Sequence, residues 1–172
     1  MDLQKVEISG NAAEIRSALA ERGIFDFSDY RRASQQTRYA MLAVASVASA
    51  GMSDWAVIGW NGAGCAAENR AYWDDYVAAG RESARGSLFV PTLPSIPACE
   101  AAIAIGAHAE SGYYRTAPDT GEIADIIEDM MQSSPWIAGV IVVESHVDGA
   151  AAIAVPRGKK LSRGFSSLKE VH

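Results

Sequence analysis

Two cysteines, Cys65 and Cys99, and three histidines, His108, His146 and His172, are all that 172 residues carry of the strongest metal-binding side chains. Their spacing fits neither a zinc cluster nor a disulfide framework, and no metal or cofactor site is expected. Basic charge is also short. Fifteen Lys and Arg face twenty-one Asp and Glu, for a net charge of −6, whereas a nucleic-acid surface concentrates cations on one face. No apolar run approaches the ~18 residues of a membrane span. The start, Met1-Asp2-Leu3-Gln4-Lys5, lacks the basic-then-apolar layout of a signal peptide, so a cytoplasmic protein is expected. Three of the six prolines fall at Pro91, Pro94 and Pro97, so helix breaking is confined to one stretch.

What remains is an ordinary globular balance, 49% hydrophobic and 21% charged, enough for one buried core. The reading along the chain is an α/β alternation. A short strand at 6–9 precedes a helix from Ala12, capped by Asn11 and stopped at Gly23. An Ala-rich helix is expected over 35–50, with Tyr39, Leu42, Ala43 and Val47 at helical spacing. The apolar run 55–60 reads as a buried strand running into Asn61-Gly62-Ala63-Gly64. A helix over 66–79 carries Tyr72, Trp73 and Tyr76, and 81–97 is expected to be loop or extended. Then come an Ala-rich helix at 98–105, a strand at 112–116, and a helix at 121–132 capped by Asp119 or Thr120. That helix turns Ile123, Ile126, Ile127, Met130 and Met131 inward and Glu122, Asp125, Glu128 and Asp129 outward. Strands at 136–143 and 150–155 form a terminal hairpin around His146-Val147-Asp148-Gly149. The domain is placed at 1–155, and 156–172, with Arg157, Lys159, Lys160 and Arg163, reads as a basic, flexible tail.

The run 87–106, in which a Pro-punctuated stretch passes into a helix with no charge after Glu100, resembles the segment that β-ketoacyl synthases place before their nucleophile strand. With 30–50 and 136–144, it makes the chain similar to the N-terminal half of the thiolase-like condensing enzymes, over roughly 29–155. The resemblance implies a mixed five-stranded sheet with packed helices. It also aligns Tyr113-Tyr114-Arg115-Thr116-Ala117-Pro118-Asp119-Thr120-Gly121 with the turn that carries the family's reactive cysteine. Here that position is Pro118, which has neither a nucleophilic atom nor a backbone N–H. Asp119 brings charge where an acyl thioester would approach, and no cysteine follows Cys99. Taken without the resemblance, Pro118-Asp119-Thr120-Gly121 is a turn and a helix start.

The functional expectation is therefore a non-catalytic ketosynthase-like protein, similar to the chain-length factors. It is expected as a homodimer or a heterodimer with an active ketosynthase, in fatty-acid or polyketide-type biosynthesis, with an acyl carrier protein as a possible further partner. The Ala-rich helix 98–105 is expected to need a cover. The strand at 112–116 is expected to leave an edge that seeks another chain. One alternative is an acyl-chain or small-molecule binding module lined by Ile127, Met130 and Met131. Another is an enzyme using Cys65, placed between a strand and a helix, or His146 with Glu144 and Asp148. Cys99 is expected as a small core residue and His108 and His172 as solvent-facing.

Overall fold

Alternating apolar residues build the centre of the molecule. The computed structural model describes residues 4–23, 25–80, 85–115, 121–163 and 167–168. Five strands form one mixed sheet in the order β1-β5-β4-β2-β3, with β1 at Gln4–Ile8, β2 at Trp55–Trp60, β3 at Ser111–Tyr114, β4 at Gly139–His146 and β5 at Gly149–Pro156. β2 runs parallel to both β3 and β4, while β5 is antiparallel to β4 and β1. Four strands thus share one direction and only β5 opposes them. The hairpin is tight, with His146 opposite Gly149. A Cβ on Gly149 would fall 2.4 Å from the Ile8 carbonyl oxygen, so only glycine lets β1 close in there.

Because side chains alternate along a strand, each strand feeds two cores. One face of the sheet presents Val57, Ile141, Val143, Ala150, Ala152 and Ala154 to α2 (Gln35–Val47) and α5 (Ile96–Ile105). The other presents Ile58, Val140, Val142, Ile153 and Val155 to α6 (Glu122–Ser133). α1 (Ala12–Arg22) packs outside α2, adding Leu19 to the first core.

Several expectations give way to packing. Residues 86–97 are largely helical, with α4 at Gly86–Phe89, a 3-10 turn at Val90–Thr92, and α5 starting two residues early at Ile96. Pro91 and Pro97 each sit in a first helical turn, where the missing N–H is not needed. The Ala-rich helix is not left for another chain to cover: Ala98, Ala101, Ala102 and Ala104 are buried within this one, against α2 and the sheet. The fourth strand starts at Gly139, not Trp136, which is 57% exposed. Gly121 is itself the residue that precedes α6, at φ +72°, a conformation that suits glycine and not the caps expected from Asp119 or Thr120.

The basic tail is docked wherever it is described. Leu161 and Leu168 are buried in the α6 core. Arg157 donates to the Ile137, Met131 and Ser134 carbonyl oxygens at 2.6–2.7 Å, capping the end of α6. Lys160 pairs with Glu128 at 2.9 Å and Arg163 with Asp125. The acidic face of α6, read as solvated, is thus partly covered by the chain's own cations.

Candidate functional site

Parallel strands gather loops at their carboxyl ends, the place where open α/β sheets bind ligands. The two nucleophile or base candidates read from sequence, Cys65 and His146, both lie at this end of the sheet. The Asn61–Gly64 loop follows β2 and ends at Cys65, the residue before α3 (Ala66–Ala79). His146 closes β4. Pro118, Asp119 and Thr120 lie outside the described residues, in the connection between β3 and α6. His172 also lies outside them, while His108 is exposed.

Cys65 is buried, and its Sγ points a weak hydrogen bond at the Leu93 carbonyl oxygen, 3.7 Å away. Burial, helped by the charge of Glu68, pushes its thiol up to about 11. Near neutrality it is almost wholly protonated, the opposite of an activated nucleophile. Cys99 is half-buried, with Sγ 3.5 Å from Ser111 Oγ.

Glu144 is buried at the end of β4 and holds the C-terminal segment. One carboxylate oxygen faces His146 Nε2 at 3.1 Å, and the other accepts from Ser167 Oγ at 2.8 Å and the Leu168 N–H at 2.7 Å. Burial pushes its pKa up, but the hydrogen bonds from His146, Ser167 and Leu168 outweigh this and hold it below 4.5. The structure thus brings His146 and Glu144 together. It gives Asp148 no bond to either among the described residues. With its acceptors engaged, Glu144 serves as a fastener for the tail.

A buried polar network that sequence reasoning missed sits between these groups. Gln36, 3% exposed on the otherwise apolar α2, donates to the Ser145 and Gly64 carbonyl oxygens at 2.9 and 3.1 Å. Asn61 donates to the same Ser145 oxygen at 3.0 Å, and its side-chain oxygen accepts the Gly64 N–H. Tyr113 closes the set, its hydroxyl donating to the Asn61 carbonyl oxygen at 2.6 Å. Each donor is spent on the protein's own backbone, so the network sets positions and activates nothing. The signals were an Asn followed by Gly-Ala-Gly after an apolar strand, an Asx-turn pattern, and the Gln pair that opens a helix whose later turns are buried.

The residues offered for an acyl tunnel lie elsewhere. Ile127, Met130 and Met131 are buried in the core beneath α6. The cavities that touch Met130 and Met131, about 280 and 230 Å³, are shared with Glu110 and Asp129 and with Arg157 and Lys160 respectively.

No family model and no curated protein matches the chain in sequence. Solved structures do match. A ketosynthase in complex with its chain length factor, ApeO with ApeC from Xenorhabdus doucetiae, aligns over 94% of this chain and 80% of its own matched chain, with a TM-score of 0.63 and 15% identity. The fold is thiolase-like. The ishigamide ketosynthase/chain length factor aligns over 90% of this chain and 61% of its own, with a TM-score of 0.58 and 10% identity. The mixed sheet and the order of elements in this thiolase-like chain therefore agree with the architecture expected from 87–106 and its flanks. Among the described residues, no single helix is long and apolar enough to cross a membrane.

Proposed function

We propose that this thiolase-like chain is a non-catalytic, chain-length-factor-like subunit that pairs with an active β-ketoacyl synthase in fatty-acid or polyketide-type biosynthesis, an acyl carrier protein serving the pair. The observation that carries this reading is the sheet edge at β3. Four residues long, it has β2 on one side and lies at the end of the strand order, and an open edge of this kind is a template for another chain. Apolar side chains accompany it. The Cys99–Ser111 contact puts that side of α5 beside β3, and Ile103, one turn on, is 62% exposed. Around α3, α4 and the 3-10 turn Phe89, Leu93, Trp73 and Val77 are also 42–65% exposed, and α3 buries none of its residues.

Two further observations support it. The first structural match covers most of its own matched chain as well, so a molecule of similar extent occurs in a ketosynthase and chain-length-factor complex. Burial keeps the Cys65 thiol protonated near neutrality, with its pKa pushed up to about 11; the sequence resemblance would put Pro118 where the family carries its nucleophile. Tagged protein expressed in its native host is expected to co-elute at equal stoichiometry with a β-ketoacyl synthase identified by mass. Ile103→Lys, at an exposed position, is expected to abolish that pairing and leave the melting temperature unchanged. The reading is overturned if the purified chain runs as a monomer whatever ketosynthase is present, or if acyl-CoA loads it covalently.

A further inference from the structure

Beside the first turn of α2, a cavity of about 380 Å³ opens between that turn, the link before it, the 3-10 turn and the start of α5. That volume lies in the range of small-ligand sites, about 300–1,000 Å³. Val90, Pro91 and Ile96 give it an apolar wall, Asp29 and Glu100 give it two carboxylates, and Arg32 gives it one cation.

Glu100 is half-buried and, among the described residues, has neither a hydrogen-bond donor nor a cation as partner. Burial first, and then the like charge of Asp29, push its pKa above the ordinary glutamate value. Among the described residues Asp29 is paired only with the highly exposed Arg32, at 3.9 Å, a pairing that water largely screens. The nearby Ser34 hydroxyl is already engaged, accepting from the Thr37 N–H and shared with the Thr37 hydroxyl. The wall thus holds a half-buried carboxylate with no cation partner among the described residues, a second carboxylate whose partner Arg32 is highly exposed, and a hydrocarbon surface. With two carboxylates against one solvent-screened guanidinium the lining is net negative and disfavours an anion, and a neutral alcohol would leave Glu100 uncompensated.

We propose that this cavity binds an alkylammonium group, its charged head between Glu100 and Asp29 and its short hydrocarbon stem along Val90, Pro91 and Ile96. A free amine and a lysine side chain presented by a bound protein share this chemistry. Nothing in the argument uses β3 or a ketosynthase, so the two proposals stand or fall separately.

Isothermal titration of the full chain near neutral pH, with hexylammonium as probe and hexanol and hexanoate as length-matched controls, tests it. Hexylammonium is expected to bind at least about tenfold more tightly than either control, because only it pairs with a poorly hydrated carboxylate. Glu100→Gln, which preserves size, is expected to remove that advantage, and Asp29→Asn to reduce it about threefold, both without change in melting temperature. Equal binding of hexanol and hexylammonium, or undiminished hexylammonium binding by Glu100→Gln, overturns the proposal. Nα-acetyl-lysine amide then separates the sources: binding tighter than hexylammonium assigns the site to a partner's lysine, and weaker binding to a small amine.

Discussion

The two faces of the sheet solve the same problem with different side chains. On the α2 and α5 face the cover is rich in alanine, with Ala40, Ala43, Ala45, Ala98, Ala101 and Ala104 beside the larger Met41, Leu42, Val44 and Val47, over Ala150, Ala152 and Ala154 of β5. On the α6 face it is built from Ile123, Ile127, Met130, Met131, Leu161 and Leu168. Two helices must lie side by side on the first face, so their axes approach closely and small residues leave the room. A lone helix spans the second, and long side chains with the C-terminal strap fill what it cannot reach. One face is intolerant of added volume and the other of lost volume.

That contrast can be broken from either side. Ile127→Ala, at a position 1% exposed, is expected to remove about 2–5 kcal/mol by leaving a cavity that α6 cannot close, read as a lower midpoint in urea unfolding. Ala101→Leu, at a position with no exposed surface, is expected to lose about 1–3 kcal/mol by pushing α5 from α2. If Ala101→Leu proved neutral, the alanine face would be loosely packed and the comparison would fail. Glu144→Gln sharpens the role of the strap, with an expected loss of about 1 kcal/mol at neutral pH. Because the folded pKa of Glu144 lies below 4.5, its stabilising effect is present above that value and fades as pH falls through the folded pKa. The parent is therefore expected to lose melting temperature in acid more steeply than Glu144→Gln, measured by circular dichroism.

What could be read in advance follows from which forces are local. The β4 and β5 hairpin was legible as two apolar runs around a turn, buried on both faces of the sheet, and the inward stripe of α6 as a helical period. The thiolase-like layout was legible through the run at 87–106 and its neighbours. The strap was not, since Leu161 and Leu168 are isolated apolar residues in a polar, basic stretch, and only the exposed end of the α6 core gives them somewhere to go. The self-covering of α5 escaped for a related reason: alanine carries little period, so its sequence tells that a close neighbour exists but not which element supplies it. At the candidate site, the strand-to-helix position of Cys65 and the end-of-strand position of His146 were legible, but that both fall at one end of the sheet was not. The protonated state of the thiol and the engagement of Glu144 with residues more than twenty positions downstream depend on long-range contacts.

Gln36 has a consequence for how the molecule comes apart. Its amide reaches 109 residues along the chain to Ser145 and also grips the loop after β2, so loosening any one of α2, the loop after β2 or β4 takes hydrogen-bond partners from buried polar groups on the other two. Amide protons at this end of the molecule should therefore exchange with solvent as one unit, released together in rare large openings and not by separate fraying of each segment.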